Sequence, residues 1–552
     1  MKQNQAFGPD FMRMIPMSKT LVLTLGHNAS AICIIDGQIV GGYEEERFTK
    51  VKSDSSFPIN SIRRLQHYFG ERFDDICVGH WFTGGNIVNS KYVDMEFLKS
   101  ICDGQIYSIA DGLTHHDTHM LSARPFALHH GMPADHMVVV ADGFGTYGEC
   151  ITIYKCDSNG SQLLARYFGY SKSLGMLYQY ATAYLEMKMH NHEYKMLGYE
   201  AHIAEVIDAT RLVTLHEIIV SDAEERVKAF YNDFIEKDTD PLVNIDALAA
   251  TQHGIANLLD SVLERLELNN IDLYTKRVII SYYVQGIVET VMSTLVGLHK
   301  PQNLVVVGGL FYNVKLNHLL ADMVEKFAAM PLAGDQGAGL GVYYGNIGRF
   351  EWPGHLAWGH RDLSNVSGDG IIVVEDMAEA VDTAHYELTN NRMVNVVRGA
   401  MEFGPRSLCN TATLAIPTMD VVERINKMND RTTVMPMAPA MTAEQAAEYL
   451  NGLDNIVGSL EYMIVTRDVK LSAMDKLQGA SHFYKLKSKA TCRPQIIGEN
   501  DLFMTTLLNE FGPLINTSFN YHGVPIAFDK ETIEYSHNMQ NQVAPITTIV
   551  IK

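Results

Sequence analysis

Two histidines spaced four residues apart are the first residues in this chain whose types and positions suggest chemistry. His115 and His119 would lie on one face of a helix, where both imidazoles can reach one ion. In 552 residues with 22 histidines, about one such pair arises by chance, so the spacing by itself is unspecific. Asp142 and Asp335 add weight, because each lies in a glycine-rich turn typical of a strand end. These four side chains would form a partly open site for one divalent ion.

A second group of candidate residues lies in the last third of the chain, where arginines occur in short motifs and an apolar segment ends in small polar residues. Planar guanidinium groups suit phosphate oxygens, so convergence of these arginines would form an anion pocket. A single arginine is as often a partner in a surface salt bridge as a ligand to phosphate. The predicted phosphate-binding residues here are Arg406, Arg431, Arg493, Asn516, Ser518 and Asn520.

The elements that must position these residues follow a repeated order of strand, polar loop and hairpin. Asp36-Gly37 between apolar segments favours a hairpin. Two copies of this order indicate an internally duplicated α/β domain with its site in the cleft between the copies. The first copy has predicted strands at 20–25, 29–35 and 38–43, and the second has strands at 137–141, 150–154 and 162–167.

Glycine turns at the strand ends are the predicted nucleotide contacts of this duplicated domain, because a backbone without Cβ can approach a phosphate closely. One turn follows Ala141 and another follows a predicted strand at 304–307. Two apolar helical segments, 255–268 and 283–298, are interpreted as core elements. The predicted contacts are Gly143, Gly308, Gly309 and Asn313.

Composition limits the function classes. A net charge of −20 disfavours a broad electrostatic grip on a polyanion, although it leaves room for a local basic groove. Seven cysteines without a CxxC pair suggest neither a zinc knuckle nor a disulfide framework, which fits a cytoplasmic location. No apolar run of the length of a membrane span is evident, so no membrane partner is expected. A domain boundary is expected between Arg349 and Gly370.

Taken together, these segments resemble the NodU/CmcH family of O-carbamoyltransferases over nearly the whole chain, in the family's order. The joint order of the motifs is what makes the resemblance specific. The N-terminal matches are Gly26 to Ala31, Glu44 to Lys52, His115 to His119, Ser173 to Gly175, Lys195 to Gly198 and Gly334-Asp335. The C-terminal matches are Glu402 to Arg406 and Asn516 to Asn520.

The resemblance implies an α/β fold with a duplicated actin-like (ASKHA) domain followed by a YrdC-like α/β domain. It places a loose arm at 1–19, the metal-binding transfer domain at 20–355 and the adenylate-forming domain at 371–552. In such enzymes carbamoyl phosphate and ATP, taken with Mg²⁺, form carbamoyl adenylate in the second domain. A substrate hydroxyl then attacks the adenylate in the first, where the single ion would be Fe²⁺, Zn²⁺ or Mn²⁺.

The resemblance also suggests two catalytic residues. His27 is the candidate general base toward the acceptor hydroxyl, since an imidazole titrates near neutral pH. Its alternative role is that of a hydrogen-bonded loop residue. Lys52 would be a secondary contact to phosphate or substrate.

The chain departs from the family pattern at several positions. Asn28 replaces the aspartate that usually follows the loop histidine, and Met435 replaces an arginine. A glycine and an arginine after the Glu-Phe-Gly-Pro-Arg motif are replaced by Cys409 and Thr411. We therefore expect a divergent member with fewer cations around carbamoyl phosphate.

Several alternatives stay open at the level of the sequence. The acceptor could be a small hydroxylated molecule, or a hydroxymethylated nucleobase in DNA or in a nucleotide. From other classes, the actin-like domain could belong to a sugar kinase, to a tRNA-modifying subunit or to a nucleotide-binding protein without turnover. The sequence leaves the acceptor, the metal and the oligomeric state undetermined, and a homodimer is compatible with it.

Overall fold

The computed structural model describes residues 18–79, 93–109, 112–232, 245–268, 270–431 and 435–552. Most of the predicted N-terminal arm, residues 1–17, lies outside these described residues. The first strand begins at Lys19, the last residue of that predicted arm.

Two five-stranded sheets in the first part of the chain have the same strand order and the same pairing pattern. In each sheet, three antiparallel strands form one side, and two further strands continue from the first strand in parallel. The predicted duplication of an α/β domain is therefore confirmed. The first sheet contains β1 (Lys19–Thr24), β2 (Ser30–Ile35), β3 (Gln38–Glu44), β4 (Asp75–Gly79) and β5 (Ile106–Ser108). The second contains β6 (His136–Ala141), β7 (Glu149–Asp157), β8 (Gly160–Phe168), β9 (Asn303–Val307) and β10 (Lys326–Ala329).

The hairpin predicted at Asp36-Gly37 joins β2 to β3, and both residues have positive φ, 51° and 80°. Positive φ at both central positions is what a tight hairpin turn requires. The predicted strands agree with the observed ones to within a few residues because alternating or continuous apolar runs between such turns are a strong strand signal.

The helices of the first part cover the two sheets. They are α1 (Glu46–Thr49), α2 (Ile59–Phe69), α3 (Met95–Ile101), α4 (His115–His129), α5 (Leu174–Tyr184), α6 (Glu193–Tyr199), α7 (Ile203–Val206), α8 (Ala209–Asn232), α9 (Ile245–Arg265), α10 (Leu273–His299), α11 (Val314–Ala321) and α12 (Ala338–Asn346). Among the described helices, α10 is long and apolar enough to cross a membrane, yet 67% of its most apolar window is buried inside the protein. That burial is the pattern of a core helix, as predicted for residues 283–298.

The last part of the chain is a second α/β unit built on a seven-stranded sheet. Its strands, with two small accessory sheets, are β11 (Ala357–Gly359), β12 (Ile371–Val374), β13 (Val394–Arg398), β14 (Met401–Glu402), β15 (Thr411–Ala415), β16 (Ala438–Met441), β17 (Arg467–Asp468), β18 (His482–Tyr484), β19 (Lys489–Cys492), β20 (Gln495–Ile496), β21 (Leu514–Ser518) and β22 (Thr547–Ile551). The order in the seven-stranded sheet is β12-β22-β13-β15-β21-β16-β20. Its helices are α13 (Met377–Thr389), α14 (Met419–Met428), α15 (Ala443–Tyr449), α16 (Leu502–Phe511) and α17 (Lys530–Val543). The YrdC-like assignment and the domain limits stay predictions.

A buried ion pair of the first part holds the backbone of Gly404 in the second part. Arg47 donates to Glu44 at 2.5 Å and to the carbonyl oxygen of Gly404 at 2.8 Å, and the Gly404 N–H donates back to Glu44. Both charged side chains are 3% exposed. Burial raises the pKa of Glu44 to about 7 although Arg47 opposes this shift. Close by, Trp358 stacks on Phe403 with ring centroids 5.0 Å apart, so the junction is packed rather than open.

Helix α12 lies against α4 at a distance that only a residue without a side chain permits. A Cβ atom on Gly341 would lie 1.9 Å from the carbonyl oxygen of Thr118 in α4. This contact fixes the helix that carries His115 and His119 against the segment that follows Asp335. The glycine-rich sequence after Asp335 thus serves helix packing.

We expect Gly341→Ala to lower the free energy of unfolding by about 3 kcal/mol, because the helices must move apart to admit one methyl group. Chemical denaturation measures this loss. The matched control is Gly254→Ala in α9, where an added Cβ meets nothing within 4 Å and the substitution should be neutral or slightly stabilising. Equal stability of both variants would contradict the close packing.

Candidate active site

Four side chains from three separate segments meet at the cleft between the two five-stranded sheets. The Nε2 atoms of His115 and His119 are 3.1 Å apart. Each of these nitrogens lies 3.2 to 3.4 Å from Oδ2 of Asp142 and from Oδ1 of Asp335. The imidazoles are buried, whereas the carboxylates are each 17% exposed, so the cluster opens on its carboxylate side.

The donor set fits one divalent ion. Ligands that lie 2.0 to 2.2 Å from an ion, at tetrahedral or octahedral angles, are about 2.8 to 3.6 Å from one another. The distance between the two nitrogens and the four nitrogen–oxygen distances fall in this interval, and all four atoms lie within 4.8 Å of one another. Mixed nitrogen and oxygen ligands suit Zn²⁺, Fe²⁺ and Mn²⁺ alike, so the geometry leaves the metal open.

Helix α4 begins at the cluster because its N-terminus is fully capped. Thr114 accepts a hydrogen bond from the N–H of Asp117, and the Asp117 carboxylate accepts one from the N–H of Thr114. The N–H of His116 donates to the buried carboxylate of Glu149 at 2.8 Å. His115 is therefore the first residue of the helix, and His119 follows one turn later on the same face.

The loop that carries Asp142 is held by helix α5. The hydroxyl of Ser173, the N-cap of α5, donates to the carbonyl oxygens of Asp142 and Gly143. A Cβ atom on Gly175 would lie 2.7 Å from the Asp142 carbonyl oxygen, so the helix can approach only with glycine there. The Ser-Leu-Gly motif at 173–175 therefore positions a predicted metal ligand.

The glycine turn after β9 approaches the same loop. A Cβ atom on Gly308 would lie 2.2 Å from the carbonyl oxygen of Ala141, and one on Gly309 would lie 2.8 Å from Oδ1 of Asp142. The close approach of this turn to the Asp142 loop is a sufficient reason for glycine at positions 308 and 309. The nucleotide contacts predicted for Gly143, Gly308 and Gly309 stay predictions.

The charges of the cluster are strongly coupled. Burial disfavours the charged form of His115, but Asp335 and Asp142 outweigh it and raise the pKa of His115 to about 10. Burial likewise opposes ionisation of Asp142 and Asp335, but the facing imidazoles lower the pKa of both carboxyl groups. Without an ion, the cluster therefore holds a proton at neutral pH.

We expect an added ion to displace that proton, so that the affinity for Zn²⁺ rises with pH. Because the raised pKa of His115 keeps it protonated below about pH 10 in the ion-free protein, affinity should fall by roughly tenfold per unit as pH is lowered from 9 to 6. Chelator competition at several pH values measures this slope. An affinity independent of pH would contradict the proposed coordination by His115.

His27 lies beside the cluster, with its Nδ1 atom 3.7 Å from Oδ2 of Asp335. Its side chain is 43% exposed, so it can meet a molecule in the cleft. Asn28, which replaces the family's aspartate, has a left-handed φ of 64° and places its amide 3.4 Å from His27 Nδ1. The ring of His190 lies 5.4 Å from that of His27.

The three predicted arginines converge in a second region of the same cleft. Burial lowers the pKa of Arg406, Arg431 and Arg493, and Arg406 lowers that of Arg493 further. None of the three forms an ion pair with a carboxylate among the residues that the structure describes. Three poorly compensated guanidinium groups in one place favour binding of a polyanion such as a phosphate ester.

Two of the predicted polar ligands, Asn516 and Asn520, form hydrogen bonds to neighbouring residues in or beside this pocket. Asn520 accepts hydrogen bonds from Arg431 at 3.0 Å and from Ser518 at 2.6 Å. Asn516 is buried and donates to Ser407 and Gln495. Both amides thus have partners inside the protein, so direct contact of Asn516 and Asn520 with a ligand stays a prediction.

Asn313 lies away from the open cleft surface. Its carboxamide oxygen accepts from the N–H of Leu316 as the N-cap of α11, and its amide group donates to Gln285. It is 6% exposed. The structure therefore gives Asn313 a capping role, and its predicted nucleotide contact is untested.

Two of the departures from the family pattern, Cys409 and Thr411, have local structural counterparts. Cys409 adopts a left-handed φ of 71°, a conformation that glycine adopts without strain. The hydroxyl of Thr411 accepts a hydrogen bond from Arg361 at 2.8 Å, so a guanidinium from another segment lies beside this position. The methionine at position 435 has no structural explanation among the described residues.

Sequence reasoning missed residues that connect the two regions. The phenol of Tyr312 interacts electrostatically with Arg406 and Asp335, and that of Tyr194 interacts with Arg431 and Arg406. Lys52 also lies near Arg431. No spacing signal in the sequence marks Tyr312, Tyr194 or His190, because each reaches the cleft through the path of a loop or a short helix.

Comparison with known families gives two matches that follow each other along the chain. Residues 84–343 match the family model described as the carbamoyltransferase N-terminus, and residues 385–552 match the carbamoyltransferase C-terminus. Together the two halves of one family description account for well over half of the chain.

Similar curated proteins match over different shares of their own length. An uncharacterized protein of Methanocaldococcus jannaschii is 26% identical over 92% of this chain and 94% of its own. The nodulation protein NolNO of Sinorhizobium fredii is 24% identical over 91% of this chain and 75% of its own. The 3'-hydroxymethylcephem-O-carbamoyltransferase of Amycolatopsis lactamdurans is 26% identical over 39% of this chain and 42% of its own.

Solved structures are more distant. Full-length HypF in its phosphate- and nucleotide-bound form is 16% identical and covers 59% of this chain and 46% of its own, with a TM-score of 0.32. A ROK family glucokinase from Streptomyces griseus is 10% identical and covers 59% of this chain and 98% of its own, with a TM-score of 0.27.

Proposed function

Since the chain belongs to the carbamoyltransferase family, we propose that it is an ATP-dependent O-carbamoyltransferase that works through carbamoyl adenylate. The observation that carries this proposal is the placement of two chemically different regions in one cleft. The cluster of His115, His119, Asp142 and Asp335 lies on one side, and three arginines without carboxylate partners lie on the other.

The arginine pocket would form the adenylate. Arg406, Arg431 and Arg493 hold the phosphate groups of carbamoyl phosphate and ATP, whose negative charge replaces the missing carboxylate partners. Water releases phosphate from carbamoyl phosphate, and the resulting carbamate oxygen attacks the α-phosphorus of ATP. Pyrophosphate leaves, and carbamoyl adenylate remains.

The transfer step would take place at the four-residue cluster. The acceptor hydroxyl attacks the carbamoyl carbon, its proton passes to His27, and AMP leaves with the bond electrons. His27 suits this role because it is exposed to the cleft and lies beside Asp335, whose carboxylate stabilises the imidazolium that forms. Lys52 would neutralise phosphate charge between the two regions.

The residues His115, His119, Asp142 and Asp335 would hold the divalent ion, which when bound supplies positive charge for the phosphate of the leaving AMP. The capped start of α4 keeps both imidazoles on one side of the cleft. The exposed edges of the two carboxylates leave room for a further ligand.

The test measures isotope exchange between pyrophosphate and ATP in the purified protein, with and without carbamoyl phosphate and a divalent ion. We expect exchange that requires carbamoyl phosphate, together with release of AMP when an acceptor is added. Release of ADP would indicate a kinase, and tight ATP binding without exchange would indicate a protein without turnover. Either result would contradict the proposal.

A further inference from the structure

The first turn of α4, which carries both histidines of the cluster, is held by another segment of the chain. The N–H of His115 donates to the hydroxyl of Thr146 at 3.0 Å, and the N–H of His116 donates to Oε1 of Glu149 at 2.8 Å. The Nδ1 atom of His116 lies 2.8 Å from the hydroxyl of Thr152. Glu149 and Thr152 belong to β7, and Thr146 precedes it, so these contacts all lead to the start of one strand.

Arg166, in β8, lies between two carboxylates that both contact this first turn. One terminal nitrogen of Arg166 donates to Oδ1 of Asp117 at 2.6 Å, and its Nε lies 3.3 Å from Oε2 of Glu149. The remaining oxygen of Asp117 accepts the N–H of Thr114, the N-cap of α4. The remaining oxygen of Glu149 accepts the N–H of His116. The guanidinium therefore fixes the positions of two acceptors of the helix N-terminus.

A fourth side chain closes this arrangement. The hydroxyl of Tyr154 donates to Asp117 at 2.6 Å and accepts from Arg166 at 2.8 Å. Glu149 is fully buried and Arg166 is 16% exposed. We call Arg166, Asp117, Glu149 and Tyr154 the α4 anchor. It holds one cation against two carboxylates, and the excess negative charge faces the N-terminus of a helix, where an anion is favoured.

The α4 anchor packs next to the metal-type cluster. A Cβ atom on Gly145 would lie 2.8 Å from Oε1 of Glu149 and 3.0 Å from Cβ of His115, so the anchor and a predicted ligand pack against the same glycine. Rotation of α4 would move His115 and His119 together, because they share one helix face. The two aspartates of the cluster lie on other segments and would not follow. Since ligand distances must be met within about 0.2 Å, a small rotation is enough to weaken the site.

We propose that Arg166 is a positioning residue for the divalent ion, because it holds α4 so that the imidazoles of His115 and His119 face the two aspartates. This inference rests on the ion of the proposed function, and it adds a residue outside the four ligands. The sign of the effect separates positioning from charge. Removal of a positive charge near a cation site would by itself strengthen cation binding, whereas loss of position weakens it.

The test titrates Co²⁺ into the full-length protein after treatment with a chelator, for the wild type and for Arg166→Met. We expect the affinity to fall by about 10 to 100-fold, the usual effect of losing a group that supports a metal ligand. The visible absorption of the Co²⁺-saturated protein reports ligand geometry, and we expect it to change in the variant. Arg166→Lys should recover part of the affinity, since one ammonium group can pair with one of the two carboxylates.

The matched control is Lys155→Met, which removes a 53% exposed cation of β7 and should keep the wild-type affinity and spectrum. An affinity in Arg166→Met equal to or above that of the wild type would overturn the proposal, and so would a wild-type protein that binds no Co²⁺. If Arg166→Met does not fold, Arg166→Lys decides, and a wild-type affinity with a wild-type spectrum would then overturn it. If pyrophosphate exchange is absent in the wild type, the proposed function fails, whereas the Co²⁺ result stands separately.

Discussion

Replacing His119 by alanine is expected to abolish carbamoyl transfer and to leave adenylate formation intact. The side chain is fully buried and supplies one of four atoms in the cluster, so its loss removes a ligand that no neighbour can replace. We expect transfer below about one per cent of wild type, because even groups that only support a metal ligand change activity by 10 to 100-fold. Bound metal should fall in parallel, while pyrophosphate exchange continues.

The matched control for this variant is His129→Ala, at the exposed end of the same helix. It should retain metal, transfer and exchange. If His119→Ala lost exchange together with transfer, the division of the two steps between two regions would be wrong. Metal content by mass spectrometry and exchange with labelled pyrophosphate provide the two readouts.

Replacing Arg493 by alanine is expected to have the opposite effect. Its guanidinium lies beside Arg406 without a carboxylate partner, and we expect exchange to fall by about 100-fold or more, the usual effect of removing one donor to a developing charge. Transfer from supplied carbamoyl adenylate should persist. Since the substitution removes a buried cation that Arg406 repels, the variant should be at least as stable as the wild type in thermal unfolding.

Arg392→Ala is the control for this second variant, because Arg392 is a 56% exposed arginine of the same α/β unit whose partner is Glu387. It should keep exchange at the wild-type rate. A drop in the melting temperature of Arg493→Ala would indicate that Arg493 supports the fold, and the loss of exchange would then not be evidence for phosphate binding.

The fold and the metal-type cluster could be predicted because their signals are local. The spacing of His115 and His119 is set by helix geometry, and Asp142 and Asp335 follow glycine turns at the ends of buried segments. The duplication was visible as two similar runs of strands and turns. These patterns depend on residues that are close together in the sequence, so they can be recognised without knowledge of tertiary contacts.

The residues that could not be predicted depend on distant contacts. His190 reaches His27 only because its loop takes a left-handed turn, and Asn313 and Asn516 turned out to have partners inside the protein. A short polar side chain after a strand suits a ligand contact and a helix cap equally well in sequence. Gln285 is the internal partner of Asn313, and Gln495 is the internal partner of Asn516. Neither partner can be located from the sequence.

The ion pair of Glu44 and Arg47 has a consequence for how the enzyme handles a labile intermediate. Separating the two parts would break the hydrogen bonds that Arg47 and Glu44 form with the backbone of Gly404, each worth about 1.5 to 3 kcal/mol because one partner is charged. A wide hinge motion during each turnover is therefore disfavoured. In the proposed reaction, the two parts would therefore stay in contact at Gly404 while the carbamoyl group passes from one region to the other.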